Sequence, residues 1–151
     1  MTERNVATNR KARHDYEIFE AIEAGLVLTG SEIKSIRAGR VSLQEAYAVV
    51  QDGEAWLVNS HIAPYEHAGY AGHDPRRRRK LLLKRRQIDD LAFRVQAKGV
   101  TLVPLRLYLK DGLAKLELAI ARGRKRHDKR QAIREREMKR DMERETGQQR
   151  R

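Results

Sequence analysis

Cysteine is missing from all 151 residues, which excludes a disulfide framework and any zinc site built on thiolates. Aromatics are scarce, with two Phe, one Trp and five Tyr. No run approaches the ~18 apolar residues of a membrane-spanning helix, and the opening MTERNVATNRK lacks the apolar centre of a signal peptide. A cytoplasmic protein is therefore expected. A basic segment lying on lipid would need a face of Leu, Phe or Trp. The most basic stretch of this chain offers only one Ile and two Met, so a membrane partner is not expected.

Charge is what the sequence has in excess. Thirty-three Lys and Arg stand against 21 Asp and Glu, a net +12. Residues 122–151 alone hold thirteen basic and six acidic residues, so a fifth of the chain supplies more than half the surplus. A chain this basic is expected to meet a polyanion. The final stretch, GRKRHDKRQAIREREMKRDMERETGQQRR, is rich in helix formers yet has little to bury beyond Ala132, Ile133, Met138 and Met142. The length fits one domain with a tail: a barrel over 1–121, and a basic tail over 122–151 whose helical propensity has little packing to support it.

The body reads as mainly β with short helices. In TLVPLRLYLKDGLAKLELAIA the Asp111-Gly112 pair marks a two-residue hairpin turn. Folding there sets Leu109 opposite Ala114, Leu107 opposite Leu116, Leu105 opposite Leu118 and Val103 opposite Ile120, all on one face. Arg106 then faces Glu117 on the other. Pro104 cannot donate to a ladder and marks an edge or a bulge. A second hairpin turns at Asp52-Gly53 and pairs Val49 with Trp56 and Tyr47 with Val58, with Ala48 and Leu57 on the opposite face. DYEIFEAIEAGLVL supplies one or two more strands around Gly25. RQIDDLAFRVQAKG and TGSEIKSIRAG read as helices, the second capped by Thr29 or Ser31. Together these elements predict a small OB-like β-barrel.

Sites for chemistry are few. The glycines of Gly25 to Gly30 lack the Lys and Ser/Thr of a phosphate loop, and His61, His67 and His73 are spaced for neither a helix face nor zinc. No nucleophile has an evident activating partner, so no cofactor, metal or catalytic residue is assigned. Three basic runs are the positive signal: Asn9 to His14 before the first strand, Arg76 to Lys80 with Lys84 to Arg86, and the tail. Trp56, Tyr47 and Phe93 read as core, which leaves few platforms for stacking single-stranded bases. That favours recognition of a folded RNA by shape and backbone.

In order along the chain, NRKARHDY (9–16), EAGLVLTGSEIKSIRAGR (23–40), DPRRRRKLLL (74–83), KGVTLVPLRLY (98–108) and ARGRKRHDKR (121–130) resemble the SsrA-binding protein family, also called small protein B. This is the bacterial partner of transfer-messenger RNA, and the likeness covers nearly the whole chain. It implies an OB-type barrel holding the tRNA-like part of that RNA, and a tail, disordered when free and helical when bound, that enters the empty mRNA channel of a stalled ribosome. Family RNA-contact positions carry over to Asn9, Arg10, His14, Glu23 and Leu82; Lys11, Lys34, Arg37 and Lys80 are added as basic residues inside the matching blocks. Asp128, Lys129 and Arg130 match positions needed on the ribosome, with His127 before them as a stacking residue and Gly123 as a hinge. Two departures stand out. Gln87 replaces a frequent Glu, and Met138 replaces a frequent large aromatic. Nothing in the sequence demands more than a monomer. A generic ribosomal or translation-factor barrel and an RNA-processing enzyme remain the competing readings.

Overall fold

The computed structural model describes residues 2–65, 72–124 and 140. In chain order the elements are β1 (Glu3–Thr8), α1 (Arg10–Asp15), β2 (Tyr16–Leu26), α2 (Gly30–Arg37), β3 (Val41–Ser42), β4 (Tyr47–Gln51) and β5 (Glu54–Val58). There follow β6 (His61–Ile62), β7 (Arg79–Leu82), α3 (Arg85–Arg94), β8 (Val100–Lys110) and β9 (Leu113–Gly123). The fold is mainly β, as the patterning predicts, with three short helices among the described residues where the sequence predicts two.

Six strands pair in a ring, β8-β4-β5-β7-β2-β9 and back to β8, which closes the sheet into a barrel. β1 joins the free edge of β8 along Arg106 to Lys110, leaving β4 one pairing to that strand, Ala48 with Leu102. Both expected hairpins form. Asp52, Gly53, Asp111 and Gly112 all take positive φ, the conformation a two-residue turn needs to match strand twist. Inside the ring lie Ala48, Leu57, Leu81, Leu102, Leu107, Leu116, Leu118 and Ile120. Ile36 of α2 and Leu91 of α3 join them from outside the sheet.

One register differs from the sequence expectation. Arg106 faces Glu117 and Leu107 faces Leu116 as predicted, but beyond them the ladder slips. Pro104 pairs with Leu118, Val103 with Ala119 and Leu102 with Ile120, leaving Leu105 as the bulged residue. Pro104 has no N–H to give the ladder, which suits a break in pairing at this point, and a one-residue slip turns side chains to the other face. Val103 and Leu105 therefore leave the barrel interior. With Ala119 and Ala121 they form a second buried cluster under Ala12 of α1, flanked by Tyr16 and Ile18.

Three further expectations are corrected. Residues 9–14 do not precede the first strand: β1 comes before them, and they form α1 with Asn9 as its cap. Tyr47 and Phe93 are not core. They are 42% and 74% exposed, and Trp56 is only half-buried beneath Arg78. Nor is the Arg76–Lys80 run a uniform surface. Arg79 is fully buried and donates from Nε to Glu32 at 2.6 Å, while Arg77 reaches the same carboxylate at 2.5 Å. β7 alternates its residues, with Arg79 and Leu81 inward, and the buried Glu32 carboxylate holds the inward arginine.

Candidate nucleic-acid interface

The bulge at Leu105 divides the outer face of the β8–β9–β2 ladder into two parts. At one end the apolar cluster is roofed by α1, whose Arg10, Lys11, Arg13 and His14 point to solvent. Arg10 and Arg13 make no ion pair among the described residues. Lys11 lies 4.0 Å from Glu45, and His14 Nδ1 meets Asp15 at 3.0 Å. Asn9 is different: it is buried, and its amide donates to Leu43 O at 3.2 Å and Pro104 O at 2.9 Å. Its Oδ1 accepts from the Ala12 N–H. Its side chain thus caps α1 and ties it both to the segment at Leu43 and to β8 beside the bulge, an N-cap with a tertiary task.

Past the bulge the same face becomes a charge network. Arg106 donates from Nε to Glu117 at 2.7 Å and from Nη2 to Glu3 at 2.9 Å. Its guanidinium lies 4.0 Å above the Tyr108 ring, a stacked cation–π contact that helps bury the tyrosine. Tyr108 donates its hydroxyl to Glu23 Oε2 in a short hydrogen bond, and Lys110 Nζ approaches the same oxygen at 3.4 Å. The hydrogen bond from Tyr108 holds the Glu23 carboxyl below its ordinary range despite some desolvation, with Lys110 and Lys115 adding attraction. Burial and the neighbouring carboxylate push the Tyr108 phenol up.

The ladder brings Leu82 beside this group. Gly25 lies two residues beyond Glu23 on β2 and pairs with Leu82 of β7. A Cβ on Gly25 would stand 3.2 Å from that of Leu82, so glycine permits the close approach and leaves Leu82 half exposed. Glu23, Gly25, Leu82, Lys84 and Lys115 line a shallow hollow. Lys80, on the outer side of β7 with Leu82, is tied to Glu54 at 3.0 Å. Lys34 and Arg37 belong to α2: Lys34 lies over the Tyr65 ring, and the Arg37 carbonyl accepts from Arg4.

The structure thus brings α1, Glu23 and Leu82 onto one outer face and sets Lys34 and Arg37 apart on a helix. Gly123 ends β9, two residues beyond the expected barrel limit. His127, Asp128, Lys129, Arg130 and Met138 lie outside the described residues, as does His67. His73 is a structural tie, accepting from Ser31 at Nδ1 and donating from Nε2 to Ile62 O. Sequence reasoning missed Arg106, Tyr108 and Lys110 as supports of Glu23, because their grouping depends on strand register. Phe19 and Phe93 were likewise missed as exposed rings flanking an apolar groove with Val100 and Ile120. No helix among the described residues is long and apolar enough to cross a membrane.

Comparisons with known proteins agree on one family. Residues 6–148 match the family described as SmpB protein. The SsrA-binding protein of Sulfurihydrogenibium sp. (strain YO3AOP1) is 53% identical over 143 residues, covering 95% of this chain and 94% of its own. That of Roseiflexus sp. (strain RS-1) is 60% identical over 143 residues, with coverage of 94% and 90%. A chain in a solved structure described as "tmRNA-SmpB: a journey to the center of the bacterial ribosome" is 50% identical, with a TM-score of 0.69. That alignment covers 84% of this chain and 93% of that one. With the match running through barrel and tail alike, the chain belongs to the SmpB protein family.

Proposed function

We propose that this chain is a non-catalytic adaptor that binds the tRNA-like part of transfer-messenger RNA and carries it to stalled ribosomes for peptide tagging. The observation that carries the reading is kinship: relatives named SsrA-binding proteins share more than half their residues with nearly all of this chain. The likeness to a tmRNA-SmpB chain extends the partner list to the bacterial ribosome. The outer face supports it physically. Exposed cations on α1 share an outer face of the sheet with a fixed carboxylate and an exposed leucine, a combination suited to phosphate attraction plus local recognition.

In this proposal Arg10, Lys11 and His14 meet the RNA directly, and Asn9 acts by holding α1 in place. Glu23 and Leu82 give local recognition, while Lys34, Arg37 and Lys80 add attraction from neighbouring elements. The barrel ends with β9. The segment that follows, with Gly123 as hinge and His127, Asp128, Lys129, Arg130 and Met138 within it, works in the mRNA channel of the ribosome.

The test is competition binding to the tRNA-like domain near ~150 mM salt with excess bulk tRNA. Binding is expected to survive the competitor, and removal of residues 122–151 is expected to spare it while abolishing tagging on stalled ribosomes. Displacement of the tRNA-like domain by bulk tRNA would instead support a generic translation-factor barrel. Cleavage of the RNA during incubation with magnesium would overturn the non-catalytic part.

A further inference from the structure

The hollow beside Glu23 has the chemistry of a single-nucleotide site. It measures about 410 Å³ and is open to solvent. Its apolar surface is Leu82, 53% exposed above the bare backbone of Gly25. Lys84 and Lys115 also line the hollow and bring positive charge that would attract a nucleic-acid backbone. Gln87 lines the hollow as well, its Oε1 accepting from the Lys84 N–H, and Glu23 supplies a fixed acceptor. Both of its hydrogen bonds, from Tyr108 and Lys110, fall on Oε2, and no donor among the described residues reaches Oε1. A carboxylate accepts and cannot donate while ionised. Its orientation is set in advance by Tyr108, which is itself clamped under Arg106. A fixed acceptor loses little freedom when it is used.

Base chemistry narrows the occupant. An unpaired base shows its Watson–Crick edge. Adenine and cytosine there set one amino donor beside a ring-nitrogen acceptor, and uracil flanks its N–H with two carbonyls. With its donor on Oε1, each would turn a lone pair toward Oε2. Guanine alone presents two adjacent donors, N1–H and the N2 amino group. We propose that the hollow beside Glu23 selects one unpaired guanine of the bound RNA, with Leu82 as its apolar support and Arg106, Tyr108 and Lys110 as the residues that position the carboxylate. The proposal rests on the RNA-adaptor reading above and specifies the base that reading leaves open.

The experiment is an inosine scan. Each unpaired guanosine of the tRNA-like domain is replaced in turn by inosine, which keeps N1–H and lacks the amino group, and affinity is measured for the full chain and for Glu23→Gln. One position is expected to cost the unaltered protein roughly tenfold, the worth of one charge-assisted hydrogen bond. The Glu23→Gln protein, weaker from the start, is expected to lose nothing further there. Tyr108→Phe is expected to blunt the inosine effect and to raise the Glu23 carboxyl pKa seen by NMR, a readout that a purely structural tyrosine would not move. If no inosine weakens the unaltered protein, or if Glu23→Gln suffers equally at the sensitive position, the guanine site is refuted. Specific binding of the unmodified RNA in that experiment would leave the adaptor reading standing; its loss would remove that reading instead.

Discussion

Two charge clusters in this barrel are near mirror images. Glu32 is a fully buried carboxylate held by two arginines, Arg77 and Arg79, with the N–H of Thr29 completing the set. Arg106 is a partly exposed guanidinium held by two carboxylates, Glu3 and Glu117. The first sits where water is excluded, and Arg79 there also donates to Ser60 and to the carbonyls of Asp74 and Pro75. It joins α2 to β7 and to the loop before it. The second lies on the outer face and fixes the direction of a side chain that faces a partner. Similar ions in different dielectric surroundings serve different ends: the inner cluster holds elements together, and the outer one organises a surface.

The largest expected effect that tests this contrast is Arg79→Ala. It leaves the Glu32 carboxylate buried with one arginine and strips five hydrogen bonds from the interior. A loss of about 3–5 kcal/mol is expected, measured as a lower urea midpoint. A loss below about 1 kcal/mol, the range of surface pairs, would erase the distinction.

Next in size is an acid limb. Burial alone would push the Glu32 carboxyl up, but hydrogen bonds from Arg77, the Thr29 N–H and Arg79 outweigh it and hold it below the ordinary 4.5. The folded state therefore binds the proton less readily than the unfolded chain. The stability this confers is present above about pH 4.5 and is lost as pH falls through the lower folded value. Urea midpoints taken downward from neutral pH should fall in that window. Glu32→Gln should start lower and flatten the limb, and an unchanged limb would show that other carboxyls dominate.

The smallest effect belongs to Arg106→Gln. Solvent screens this site, so about 0.2–1 kcal/mol of stability is expected to go. The variant should nevertheless weaken RNA binding, because Tyr108 loses the group stacked over it. A stability loss matching that of Arg79→Ala would show that the outer cluster is structural after all.

Much of the architecture was legible because hairpins carry their own register. Asp-Gly turns fixed both ladders near their tips, so Arg106 with Glu117 and Val49 with Trp56 follow from counting. Farther out, counting fails. Pro104 signalled a bulge or an edge, but alternation cannot tell which residue is extra, and that choice decides whether Val103 lines the barrel or supports α1. The run Arg76 to Lys80 looked uniform because charge pattern is local, whereas the fate of Arg79 depends on Glu32, 47 positions away. Tyr47 and Phe93 misled for the opposite reason: hydrophobicity favours burial, and nothing within either segment shows that the barrel is already full. For the candidate interface, family resemblance supplied Glu23 and Leu82 as separate positions. Their adjacency comes from the pairing of Gly25 with Leu82.

The place of β1 has a consequence for handling the protein. It occupies the stretch of the β8 edge that β4 leaves open, and it is pinned at its start by Thr2 and Asp111, which exchange hydrogen bonds. Glu3 and Arg4 give this outermost strand charge, a common guard against strand-to-strand aggregation. Trimming the chain back to Asn9 would bare the backbone of Arg106 to Lys110, an uncapped template for self-association. Solubility of the barrel is thus invested in its first eight residues, and a tag fused there is best separated by a flexible spacer.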